Sequence, residues 1–118
     1  MKVLIVDDEE LIRRSLRRVF EMAKHQVFEA DAGVEGLKVW RAEEPDVVIL
    51  DVLMPGLTGP QVIQEMGGAT LSKVILMSAY TGEYNLERAK HVGADLFIPK
   101  PFQNIFDIVK IAEQLVSK

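Results

Sequence analysis

The sequence predicts an α/β domain, a doubly wound (βα)5 chain built on one parallel sheet. Short apolar runs and helix-forming segments alternate five times along its 118 residues. That alternation implies parallel strands, helices on both faces and right-handed crossovers. The run Val47-Val48-Ile49-Leu50 is apolar without interruption, as in a strand buried on both faces, and Asp51 follows it. Acidic residues also close the first run, at Asp7-Asp8-Glu9-Glu10.

Lys2 to Val6 forms the first strand. The helix after it places Ile12, Leu16, Val19, Phe20 and Ala23 at helical spacing, with Arg13, Arg14, Arg17 and Arg18 on its polar face. Glu9 and Glu10 stand four residues ahead of Arg13 and Arg14, the favourable order for ion pairs along a helix. Gln26 to Ala30 is the second strand. Val34, Leu37, Val39 and Trp40 mark a helix that stops before Pro45. After Val47 to Leu50, Pro55 and Gly56 turn the chain out of the sheet. Thr58 is the N-cap of a third helix, Gln61 completes a capping box, Pro60 fits the first turn, and Gly67-Gly68 ends the helix. Val74 to Met77 is the fourth strand, followed by Ser78-Ala79-Tyr80. A fourth helix spans about Glu83 to Val92 and is stopped by Gly93. Asp95 to Ile98 is the fifth strand, leading into Pro99-Lys100-Pro101. The last helix aligns Ile105, Ile108, Ile111 or Ala112, and Leu115.

The length suits a single domain, 1–118, and 48% hydrophobic residues supply its core. Without cysteine there are no disulfides or thiolate metal sites. A net charge of −4 argues against direct nucleic-acid binding, and no apolar run has the length of a membrane span. The expected setting is the cytoplasm.

In the flavodoxin-like strand order 2-1-3-4-5, strand one lies beside strand three, and ligands bind beyond the carboxyl ends of the strands. Asp7, Asp8 and Asp51 then meet at one edge, with Ser78 and Lys100 on the same edge. Three carboxylates brought together repel one another. Lys100 and a divalent cation are the two candidates to relieve them. Oxygen-only ligands with open positions suit Mg2+, which readily completes its shell with a phosphate. A carboxylate so placed can attack a phosphoryl group and form an aspartyl phosphate.

Asp7-Asp8 after strand one, Asp51 after strand three, Met54-Pro55-Gly56, Ser78-Ala79 after strand four and Lys100-Pro101 after strand five resemble a two-component response-regulator receiver domain of the CheY-like superfamily. The resemblance covers the whole chain. It implies that Asp51 accepts a phosphoryl group from a sensor histidine kinase or phosphotransfer protein. It implies that Asp8 and Asp51, with Asp7 through water, bind Mg2+, and that the backbone carbonyl of Leu53 adds a ligand. Ser78 and Lys100 would contact the phosphoryl group, with the Lys100-Pro101 bond cis. Phe97 occupies the aromatic switch position. Leu53 and Tyr80 flank the phosphoryl group and tune its lifetime. The first helix helps to dock the kinase. A downstream target protein, or an output domain beyond this chain, would read the change.

Each residue taken alone has a plainer reading: Asp7 as an N-cap paired with Glu10, Asp51 as a turn residue, Ser78 as a strand end, Lys100 as a solvated loop lysine, Phe97 as a half-buried aromatic. The arginine face reads as a solvated surface paired with glutamates. A flavin-binding loop would need hydroxyls where Asp-Asp-Glu-Glu stands, a dinucleotide site would need G-x-G-x-x-G, and a dehalogenase-like phosphatase would need D-x-D after strand one. The expectation is therefore a signalling module and not an enzyme. An unphosphorylated scaffold, or a phosphatase-like enzyme on a similar fold, is the alternative. Of the acidic pair that transcription-factor receivers use to dimerise, Asp95 is matched and Leu96 is not, which implies a monomer or weak dimer.

Overall fold

The computed structural model describes residues 1–68, 70–79 and 85–118. Among these residues, five strands and five helices alternate. They are β1 (Lys2–Val6), α1 (Glu10–Met22), β2 (Gln26–Ala30), α2 (Gly33–Glu43), β3 (Val47–Asp51), α3 (Gly59–Met66), β4 (Lys73–Ser78), α4 (Leu86–His91), β5 (Leu96–Pro99) and α5 (Ile105–Val116). All strand pairs are parallel, in the order β2-β1-β3-β4-β5.

Alternation along the strands divides the core in two. Val3, Ile5, Val47, Ile49, Ile75 and Met77 pack with Leu16 and Phe20 of α1 and Ile108 and Ala112 of α5. Leu4, Val6, Val48, Leu50, Val74 and Leu76 pack with Leu37 and Trp40 of α2, Val62 of α3 and Ala89 of α4. Two helices thus cover one face and three the other. Both faces of β1 and β3 are sealed, which is why these strands are apolar runs and not alternating ones. Each fully buried Leu, Ile or Val contributes about 1.5–3 kcal/mol relative to exposure.

Local signals set several of the ends. Thr58 Oγ1 accepts from Gln61 N–H at 3.3 Å and Gln61 Oε1 accepts from Thr58 N–H at 2.8 Å, a complete capping box with proline in the first turn. Gly67 closes α3 at φ 64°. The expected start of the fourth helix at Glu83 lies outside the described residues; within them α4 begins at Leu86, where the Asn85 side chain accepts from Arg88 N–H.

Strand boundaries differ from the sequence expectation by a residue: β4 runs one residue further at each end, and β5 ends at Pro99. β5 begins at Leu96 and not at Asp95, because the Asp95 carboxylate accepts from Val74 N–H at 2.8 Å and ties down the start of β4. β3 includes Asp51, which pairs with Met77 of β4. The phosphoacceptor candidate is therefore held by the sheet itself.

Candidate functional site

The register sets the site. Val6 pairs with Leu50, Asp51 with Met77, and Ser78 with Pro99, so Asp7, Asp51, Ser78 and Lys100 emerge at one edge, the carboxyl ends of the strands. Lys100 N–H donates to the Ser78 carbonyl at 2.9 Å, and the Lys100-Pro101 peptide is cis. Val52 N–H donates to the Met77 carbonyl, and Gly59 N–H to the Val52 carbonyl, which fastens both ends of the loop carrying Leu53.

Asp7 is fully buried, Asp51 is 6% and Ser78 1% exposed, while Asp8 faces solvent. Oxygens of Asp7, Asp8 and Asp51 lie within 4.8 Å of one another. Lys100 Nζ donates to Asp7 Oδ2 at 2.6 Å and stands 3.5 Å from both Asp51 Oδ2 and Glu9 Oε1. The solvated-loop reading of Lys100 does not hold, since its side chain is only 7% exposed. Asp7 does not cap α1 either. The N-cap is Glu9, without a side-chain capping bond, and Asp7 Oδ1 accepts from Glu9 N–H at 2.9 Å.

Burial, then the charge of Asp7, pushes the Asp51 carboxyl up to about 7; Lys100 opposes the rise and Asp8 adds to it. Burial alone would lower Lys100, but its hydrogen bond to Asp7 and the charges of Asp51, Asp7 and Glu9 outweigh it and raise the ammonium. A buried carboxylate that resists ionisation beside two others is a site that favours added positive charge. The donors are all hard oxygens, so the residues fit Mg2+.

Leu53 is exposed at 46%, and Phe97 is half-buried against the α2–α3–α4 side of the core. Tyr80 lies outside the described residues. On α1, Arg14 pairs with Glu10 at 3.8 Å as the spacing implies, and Arg17 with Glu21 at 3.3 Å. The Glu9–Arg13 pairing does not form. Arg13 turns inward to Glu29 and to the Asp7 carbonyl, and Glu9 turns to Lys100. The buried charges at the strand ends outcompete a solvated pair along the helix. Arg13 and Glu29 are thus neighbours of the site that sequence spacing did not reveal.

Residues 3–113 match the family model for the response regulator receiver domain. Among curated proteins, the chain is 37% identical to sporulation initiation phosphotransferase F of Bacillus subtilis, over 92% of this chain and 90% of that one. It is 31% identical to the transcriptional regulatory protein PdtaR of Mycobacterium tuberculosis, over 99% of this chain but 57% of the other's length. Among solved structures, the receiver domain of the Francisella response regulator 1452 superposes with a TM-score of 0.89 at 26% identity, covering 98% of this chain and 96% of that one.

Proposed function

This chain belongs to the response-regulator receiver family, and from that premise we propose that it is a switch set by phosphoryl transfer onto Asp51 from the phosphohistidine of a sensor histidine kinase or a phosphotransfer protein. The observation that carries this reading is the convergence of Asp7 and Asp51 on Lys100 at the strand ends, 2.6 and 3.5 Å from its ammonium. The likeness to a protein named a phosphotransferase, over nearly its whole length, supports it.

Asp7, Asp8, Asp51 and the Leu53 carbonyl are the groups that would hold Mg2+. Both Asp7 carboxylate oxygens already accept protein hydrogen bonds, which suits contact through water. Mg2+, when bound, supplies positive charge opposite the phosphoryl oxygens. Asp51 is the nucleophile. Its ionised oxygen attacks phosphorus as the bond from phosphorus to the histidine nitrogen breaks, and the imidazole leaves with that electron pair. Lys100 holds the developing charge, and the Ser78 hydroxyl donates to one equatorial oxygen.

The kinase approaches over α1 and the start of α5, where Leu11 is 76% and Phe106 56% exposed. A target protein, or an output domain joined to this one, reads the α4–β5–α5 side. Asp95 is engaged with Val74 N–H inside the sheet, which supports a monomer or weak dimer. Among the described residues no helix is long and apolar enough to cross a membrane, in keeping with a cytoplasmic module acting through protein contacts.

The test is intact mass after incubation with Mg2+ and acetyl phosphate. The parent gains one phosphoryl group and Asp51→Asn none, because its amide is not a competent nucleophile. A parent that stays unlabelled under conditions where a known receiver is labelled would instead fit the scaffold reading.

A further inference from the structure

Asp8 is the exposed member of the acidic cluster, and among the described residues its carboxylate makes no hydrogen bond or ion pair. Its position is therefore set by its backbone. The peptide that joins Asp7 to Asp8 carries the Asp7 carbonyl, and that oxygen accepts from Arg13 Nη1 at 2.8 Å. Arg13 is itself fixed on the far side: its Nε lies 3.3 Å from Glu29 Oε1, with both side chains mostly buried. The other oxygen of Glu29 accepts from Arg17 Nη1 at 2.8 Å. Glu29 sits on β2 beside Ala30, whose carbonyl accepts from Asp7 N–H at 3.1 Å. Both peptide planes flanking Asp7 are thus tied to the end of β2, one directly and one through Arg13.

We propose that Arg13, anchored by Glu29, is a positioning residue for the divalent-cation site: it fixes the peptide that presents Asp8. The inference rests on the Mg2+ reading of the acidic cluster. A guanidinium suits the task because its rigid fork reaches the carbonyl and the carboxylate together, whereas a lysine ammonium offers a point charge without that planar geometry. Arg13 touches neither the cation nor the transferred group. Its effect is on how well Asp8 is prearranged, and partners one step removed from a metal ligand typically change metal affinity by 10–100-fold.

The measurement is the Mg2+ dissociation constant of the full chain by calorimetric titration, beside a thermal melt in EDTA. The parent should bind Mg2+, and Arg13→Ala should bind it roughly tenfold more weakly. Phosphorylation by acetyl phosphate at saturating Mg2+ should return towards the parental rate, since the nucleophile and Lys100 are untouched. Arg17→Ala removes the second partner of Glu29 without touching Asp7 and should retain parental Mg2+ affinity. Glu29→Gln, which keeps the shape of the anchor, should weaken Mg2+ binding less than Arg13→Ala does, and it decides the matter if Arg13→Ala fails to fold. Parental Mg2+ affinity in Glu29→Gln and in a folded Arg13→Ala overturns the positioning role while leaving the cation site intact. An equal loss in Arg17→Ala overturns it in favour of a general effect of α1. A parent indifferent to Mg2+ overturns both the site and the inference.

Discussion

The Lys100 ammonium donates to Asp7 Oδ2 at 2.6 Å, a pair in which the lysine side chain is 7% exposed and the aspartate not at all. The stem of Lys100 comes from beyond β5 and Asp7 from the end of β1, so the contact spans the sheet edge across β3 and β4. Removing one member of a buried pair leaves the other charged and uncompensated, at a cost of about 3–5 kcal/mol. Lys100→Met should therefore lower the melting temperature markedly in EDTA. Millimolar Mg2+ should recover more of the loss in the variant than it adds to the parent, because the bare carboxylates then have no lysine to share. Equal Mg2+ responses would show that lysine and cation do not compensate the same charges.

The acidic pair and Asp51 also make the metal-free protein sensitive to pH. Asp51 holds its proton up to about 7 in the fold, above the ordinary carboxylate range. The native state therefore binds that proton more tightly than the unfolded chain does. This contribution is fully present below about pH 4 and is lost as pH rises through about 7. The whole effect is on the order of 4 kcal/mol at its limit. In EDTA, Asp51→Asn should flatten the fall in stability between pH 5 and 8 and be more stable than the parent at the upper end. The raised Lys100 works in a different window, its contribution being lost only in strongly alkaline solution. Parallel pH profiles for parent and variant would remove Asp51 as the source.

What was legible in the sequence is what local chemistry dictates. The Thr58–Gln61 box is written within four residues, and the sheet order follows from apolar runs separated by helices. The hidden parts depend on groups far apart in the chain. Glu9 looked like a partner for Arg13 until Lys100 arrived from beyond β5, and Arg13 found Glu29 on β2. The left-handed residues that follow α1 and α2 were hidden for another reason, although Pro45 did mark the stop of α2. Lys24 and Glu44 adopt positive φ, 71° and 46°, where no glycine marks the turn. Such residues cost about 1–3 kcal/mol and persist only because surrounding packing over-determines them.

Gly59 admits no side chain without moving the site. A Cβ there would lie 2.5 Å from the Asp51 carbonyl oxygen and 3.1 Å from Leu76 Cδ2. The first of these neighbours is backbone and cannot swing aside. Gly59→Ala should destabilise the fold by about 1–3 kcal/mol, as overpacking does, and should displace the loop that carries Leu53. Chemical denaturation checks the stability, and the amide shifts of residues 52–58 check the displacement. A variant with parental stability and shifts would mean that the start of α3 relaxes freely.

On the proposed function, Leu53 is expected to bear on the lifetime of the phosphorylated state. Hydrolysis needs a water in line with phosphorus. Leu53 stands two residues beyond Asp51, is 46% exposed, and has no polar side-chain group to orient such a water. Leu53→Asn should shorten the phosphorylated lifetime after removal of acetyl phosphate, read by intact mass against time. An unchanged or longer lifetime would remove Leu53 from that role.

On the proposed function, Ser78 and Phe97 are the expected route from the site to the α4 side of the molecule. Ser78 pairs with Pro99 and Leu76 with Phe97, so Ser78 and Phe97 project to the same face of neighbouring strands, the face that α3 and α4 cover. On the proposed function, a phosphoryl group on Asp51 would bring acceptor oxygens that draw the Ser78 hydroxyl towards it, vacating space at the end of β4. Phe97 is half-buried and can turn its ring into that space. Complete burial of a large apolar side chain contributes about 1.5–3 kcal/mol. Phe97 begins partly covered, so the remainder is on the order of 1 kcal/mol, enough to shift a two-state ratio roughly fivefold. Amide shifts recorded with and without beryllofluoride, a phosphoryl mimic, test the coupling. In the parent, changes should appear both near Asp51 and around Phe97 and Ile105. In Ser78→Ala, those near Asp51 should persist while those around Phe97 and Ile105 shrink. Undiminished distal changes in the variant would show that the signal reaches β5 by a path that does not pass through the serine hydroxyl.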